Sequence, residues 1–152
     1  MSNFEIFESV AIEEFSFLSG YGFSLIDSVK DNYGCSQTYK NNWLALRISM
    51  DKEGINVVFY KLSKNQIPPY PIFFNPADEF LVFNANDLLF AKTQKNFEQV
   101  TARLYEESYL REKIKELALL LRINATDVFT GNFAILVKIY ELVVQRWREI
   151  EH

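Results

Sequence analysis

Hydrophobic positions fall on a helical period up to Ser19 and on an alternating period from there to Leu62. Phe4, Phe7, Ala11, Phe15 and Leu18 recur at spacings of three and four, which places them on one face of a helix from about Asn3 to Ser19. Ser2 with Glu5 three positions on matches a capping box. Gly20 stands where helices commonly close in the left-handed conformation. A first strand over 22–30 carries Phe23 and Leu25 on its apolar side. A second, over 33–40, sets Tyr33, Cys35 and Tyr39 against Ser36, Thr38 and Lys40. The third has the cleanest pattern: Leu44, Leu46, Ile48 and Met50 alternate with Ala45, Arg47, Ser49 and Asp51. A fourth, over 55–62, carries Ile55, Val57 and Phe59. Asp31-Asn32, Asn41-Asn42 and Asp51-Lys52-Glu53-Gly54 are short joints made of turn residues, so successive strands pair antiparallel as a meander.

The second half reads as helical. All four prolines stand at 68, 69, 71 and 76, and "QIPPYPIFFNP" predicts an extended crossing segment. After it, "EFLVF" reads as an edge strand and "NDLLFAK" as a helical turn capped by Asn86 or Asp87. A long helix follows over Asn96 to Arg122. Its stripe of Phe97, Val100 and Leu104 gives way to one of Leu110, Ile114, Leu117 and Leu121. The shift near Glu106–Glu107 predicts a kink, two helices or two different neighbours. A last helix over 127–150 has Phe129, Phe133, Leu136, Tyr140, Val143 and Trp147 on one face, flanked by Ile135, Ile139 and Val144. So wide an apolar arc implies burial or a second contact surface. The sum is one α+β domain over 1–152: an N-terminal helix, a four-stranded antiparallel β-meander, and C-terminal helices packed on one face of the sheet.

Composition supports a packed core and narrows the partners. The chain has 152 residues, 49% of them hydrophobic, with 14 Phe and 8 Tyr, enough apolar material to fold without metals or disulfides. Its net charge of −4 disfavours nucleic acid and suits a basic protein partner. The single Cys35 excludes an intramolecular disulfide and fits a reducing compartment. Glu5, Glu8, Glu13 and Glu14 deny the N-terminus a signal-peptide pattern. The apolar run from Phe133 to Val144 is interrupted by Lys138 and Glu141, so no membrane span is expected. These features together lead to an expected cytoplasmic location.

Candidate chemistry is sparse. One histidine, His152, excludes a Ser-His-Asp or Cys-His arrangement in practice. One Cys and one His cannot build a zinc site, and five scattered glycines form no phosphate cradle. Cys35 reads as a small buried hydrophobe. The pairs Asp78-Glu79 and Glu106-Glu107 are adjacent residues, which do not face each other on a helix. Asp51 and Glu53 sit at a hairpin tip. No catalytic, cofactor or metal residue is expected, and no enzyme. The aromatic residues of the sheet half admit two readings. One is a Phe-rich core; the other is an exposed patch of Tyr39, Trp43 and Tyr60 near strand ends, with Trp43 off the Leu44–Met50 face.

Tyr21-Gly22-Phe23 closing a helix, Tyr39-Lys40-Asn41 at one turn and Asp51 to Gly54 at the next hairpin make a recurrent pattern over residues 15–62. In this the chain resembles a type of small bacterial α+β protein and is similar to immunity proteins of bacterial polymorphic-toxin systems. The resemblance implies a non-enzymatic protein-binding module that neutralises a basic toxin, and it carries no catalytic residues. Trp43, Asp51, Glu53, Glu106 and Glu107 are the candidate partner contacts, chosen for expected exposure. Two alternatives stand beside this reading: a small-ligand-binding domain with an aromatic pocket between sheet and helices, and a structural homo-oligomer, such as a homodimer, using the broad apolar arc of the last helix.

Overall fold

The structure is a computed structural model that describes residues 2–71 and 79–151. Helix α1 (Asn3–Glu14) starts at Ser2, whose Oγ accepts from the Glu5 N–H at 3.2 Å. It stops earlier than the periodicity predicts. At Phe15 the chain tightens into a 3₁₀ segment, Ser16–Tyr21. That winding turns both Phe15 and Leu18 inward, each 1% exposed. The left-handed residue that ends it is Gly22 (φ 81°), not Gly20, and the N–H groups of Gly22 and Phe23 close back on Ser19 and Leu18.

Five antiparallel strands follow in the order β1-β2-β3-β4-β5: β1 (Ser24–Lys30), β2 (Gly34–Lys40), β3 (Leu44–Asp51), β4 (Gly54–Lys61) and β5 (Val82–Asn84). The first four are the expected meander, and "EFLVF" supplies the fifth. The apolar-face assignments of Tyr33 and Leu25 are corrected, since both are exposed. Tyr33 was expected on the core face of the second strand, but it lies in the turn before it and is 84% exposed. Asp31 Oδ1 accepts from the N–H groups of Tyr33 and Gly34 at 2.7 and 3.0 Å, which makes 31–34 the turn. Gln37 takes a core-side position instead, its Nε2 donating to the Glu8 carbonyl on α1 at 3.0 Å. Strand β1 is exposed along its whole length. It is an edge strand with an irregularity between Leu25 and Asp27, and only Phe23, just ahead of it, is buried.

Helices cover one sheet face. Helix α2 (Ala85–Thr93) is capped by Asn84, whose Oδ1 accepts from Asp87 N–H at 2.8 Å, so the cap falls two or three residues ahead of the expected Asn86 or Asp87. The long helix predicted from Asn96 is broken where its stripe shifts: a 3₁₀ turn at Thr101–Tyr105, then α3 (Glu107–Asn124). The last helix is likewise two. Helix α4 (Thr126–Phe129) and α5 (Leu136–Glu151) are separated by a bend at Gly131, which has a left-handed φ of 89°. Helix α3 packs against both α1 and α2, while α5 packs against α2. Arg146 on α5 reaches the nearly buried Asp87 carboxylate at 2.6 Å. On α5, Leu136 and Ile139 are buried, whereas Val137 and Ile150 face solvent.

The core joins Phe7 and Phe15 to Leu46, Ile48 and Phe59 of the sheet and to Leu110, Ile114 and Phe129 of the helices. Aromatic rings of the interior pack on one another. Phe59 stacks on Phe83 at 5.1 Å, and Phe129 meets Tyr21 at 5.3 Å and Phe23 at 5.7 Å. On the opposite sheet face, Ala45, Val58 and Tyr60 are covered by Leu62, Ile67 and Val82. Phe73, Phe74, Pro76, Asp78 and His152 lie outside the described residues.

Candidate functional site

Two hairpin turns and one 3₁₀ turn meet at the end of the sheet beside the start of α1. The β3–β4 turn is set by Asp51, whose Oδ1 accepts from the Glu53 N–H at 2.8 Å, and by Gly54, whose φ of 117° suits glycine. The carboxylates of Asp51 and Glu53 therefore project from a tight turn, as expected. The β1–β2 turn brings Tyr33 to the same end. Gln99 holds the third piece in place. Its amide oxygen accepts from Ile55 N–H at 2.9 Å and its Nε2 donates to the Ile55 carbonyl at 2.8 Å. The segment leading to the 3₁₀ turn at 101–105 is thereby tied to the first residues of β4. Tyr109 adds a second tie, its hydroxyl accepting from Val100 N–H at 2.7 Å.

Between these pieces lies a groove of about 630 Å³. Phe4, Met50 and Leu104 provide its apolar lining; Met50 and Leu104 are buried and Phe4 half-buried. Tyr33 and Tyr105, 84% and 76% exposed, stand at its sides. Asp51, Lys52 and Glu53 form part of its rim, with Asp31 and Glu5 in the adjoining hollow. The N-terminus of α1 brings a partial positive charge here, which Glu5 in its first turn offsets.

The five expected contact residues do not form one surface. Asp51 and Glu53 line the groove. Glu106 and Glu107 follow Tyr105 directly but are already engaged by cations of their own segment. Glu106 Oε2 meets Arg103 at 3.0 Å, and Glu107 Oε1 meets Arg111 at 2.9 Å. The hydrogen bond and charge of Glu106 push the Arg103 pKa up. Such exposed pairs hold weakly, so a partner's cation can replace the internal one. Trp43 lies elsewhere. It precedes β3 and Asp51 ends it, a separation of roughly 26 Å at ~3.3 Å per residue. Its ring is 46% exposed and rests on Gly131. Tyr39 and Tyr60, its companions in the exposed-patch reading, are both buried.

Sequence reasoning missed Tyr33, Tyr105, Phe4, Met50 and Leu104. One local signal existed for Tyr33: Asp31 followed by Tyr33-Gly34 is the sequence of an Asx turn, which takes the Tyr out of the strand. The apolar residues carry no such mark, because their pattern is that of core positions.

Burial first, and then the Glu8 carboxylate, push the Cys35 thiol up to about 12. Burial likewise raises the Tyr39 and Tyr60 hydroxyl pKa values. Among the described residues no three His, Cys, Asp or Glu side chains come together as a metal site. No helix among them is long and apolar enough to cross a membrane. Comparison with protein-family models, curated proteins and solved structures finds no match.

Proposed function

We propose that this chain is a non-enzymatic protein-binding module whose working surface is the Tyr33–Tyr105 end of the molecule, and that its partner is a basic protein. One observation carries the reading. Two tyrosines are held almost fully in solvent beside an apolar hollow, next to the hairpin-tip carboxylates Asp51 and Glu53. Tyrosine combines large contact area with few rotatable bonds and is enriched where proteins bind one another. Carboxylates around such a patch favour fast association with a positively charged surface and disfavour acidic competitors. An immunity-type inhibitor of a basic bacterial toxin is the specific form of this proposal, and it rests on the resemblance over residues 15–62.

The test is capture from the source cell's lysate with wild-type protein and with the double variant Asp51→Lys/Glu53→Lys. The expected result is one basic protein in stoichiometric amount, retained by the wild type, lost by the variant and released at high salt. Equal retention by both proteins refutes the reading. The volume of the groove also suits a small molecule, since such sites span roughly 300–1,000 Å³. Thermal stabilisation by a metabolite, abolished in Tyr33→Ala/Tyr105→Ala, would favour that second reading.

A further inference from the structure

We infer that the Tyr33–Tyr105 groove takes a lysine or arginine side chain of the partner polypeptide. This inference rests on the proposed binding role and names the chemistry its site recognises. The groove offers three different surfaces: an apolar floor of Phe4, Met50 and Leu104, two exposed tyrosine rings, and the carboxylates of Asp51 and Glu53. An aliphatic or aromatic side chain would use the floor and leave the carboxylates desolvated without a partner. A carboxylate-bearing side chain would be repelled by the rim. Lysine and arginine alone combine an apolar stem with a cationic head. Their stem covers the floor while the head lies against a ring face, where the ring quadrupole attracts it, and within reach of the rim.

The charges that face the hollow are acidic on balance. Asp51, Glu53, Asp31 and Glu5 stand against Lys52 and Lys30. Lys30 is also directed at Glu8, with Nζ 3.7 Å from Oε1. The protein itself packs cations on aromatic rings elsewhere. Arg103 lies 4.2 Å from the centre of the Tyr109 ring, beside the same 3₁₀ turn that carries Tyr105.

The experiment titrates isotope-labelled full-length protein with hexalysine, hexaarginine and hexaglutamate, following amide chemical shifts. Lysine and arginine peptides are expected to perturb residues 2–4, 32–33, 50–53 and 101–105; hexaglutamate is expected to leave them in place. Tyr33→Ala/Tyr105→Ala should weaken binding of the cationic peptides by roughly five- to thirty-fold, the loss of two cation–π contacts. Tyr70→Ala, at a 63% exposed tyrosine away from the groove, should not. Unchanged affinity in the double tyrosine variant overturns the inference, because charge alone would then explain binding. Absence of groove shifts at millimolar peptide overturns it as well. A double tyrosine variant that still captures the basic partner of the wild type would end this inference and leave the binding role standing.

Discussion

Replacing Asn41 by Ala should remove a large part of this domain's stability. The side chain sits in the β2–β3 turn and is saturated. Its Oδ1 accepts from Trp43 N–H and Leu44 N–H, each at 2.9 Å, while Nδ2 donates to the Phe129 carbonyl at 2.9 Å and the Tyr21 carbonyl at 3.1 Å. One residue thus joins the turn, the end of the first 3₁₀ segment and α4. In Asn41→Ala the buried Leu44 N–H and the Phe129 carbonyl lose their partners, at about 1–3 kcal/mol each. The bonds to Trp43 and Tyr21 are nearer water and each contributes about 0.5–1.5 kcal/mol. Allowing for about 1 kcal/mol of side-chain entropy released, the loss is about 2–8 kcal/mol, against a total near 5–15 kcal/mol for a domain. Urea unfolding followed by Trp fluorescence measures it, with the exposed neighbour Asn42→Ala as control. Asn41→Asp separates the donor from the acceptor role. It keeps Oδ1 but turns a carboxylate oxygen towards two carbonyls, so the folded state disfavours the charged form. Relative to wild type it should be least stable at neutral pH and recover as pH falls and the carboxyl gains a proton to donate. A loss below about 1 kcal/mol in Asn41→Ala would refute the reasoning.

Gly131→Ala should cost roughly 1–3 kcal/mol, because φ of 89° strains any residue with a Cβ and that Cβ would stand 3.0 Å from the Trp43 ring; adding Trp43→Ala should return the contact part and leave the backbone part, which a double-mutant cycle by thermal unfolding resolves. Cys35 should resist a thiol reagent in the native protein at pH 8 and react at once in denaturant. Its folded pKa lies above the unfolded value, so its effect on stability is constant below about 9 and stability falls as pH rises from there towards about 12. Gln99→Ala should loosen the 94–105 segment and shorten hydrogen-exchange lifetimes at Ile55 with little change in the α-helical core, since both lost bonds go to that one residue.

The sheet was legible because Leu44, Leu46, Ile48 and Met50 of β3 and Ile55, Val57 and Phe59 of β4 recur at every second position, and the joints are turn sequences with one reading. Register follows from that alternation, since a slip of one residue would carry Leu44, Leu46, Ile48 and Met50 to the other face. The ends of elements were not legible, for reasons that lie outside local pattern. Phe15 and Leu18 have helical spacing, yet a tighter winding turns both inward, and only tertiary burial selects it. Phe129 and Phe133 also fit one helix. The bend at Gly131 packs against the Trp43 ring, which arrives from a turn nearly ninety positions earlier in the chain. The core position given to Tyr33 failed because an Asx turn outweighed strand propensity.

The groove was invisible for a further reason. Its lining comes from the start of α1, both hairpin tips at one end of the sheet, and the turn before α3, so no window of sequence contains it. Exposure alone selected Trp43 together with Asp51 and Glu53, but β3 sets them at opposite ends. An even number of hairpin connections returns the chain to the same end of a meander. The joints β1–β2 and β3–β4 therefore meet, and β2–β3 faces away. That parity could be read from the sequence before any coordinates. It pairs Tyr33 with Asp51 and Glu53, and it assigns Trp43 to the far end beside Gly131. If a partner contacts both Trp43 and Glu53, it must span the length of β3, whereas a segment bound in the groove need touch only one end. Cross-linking from position 43 and from position 53 to the same captured partner distinguishes the two. Cross-links from 53 alone are expected, and efficient cross-links from both would require a partner surface that runs along the sheet.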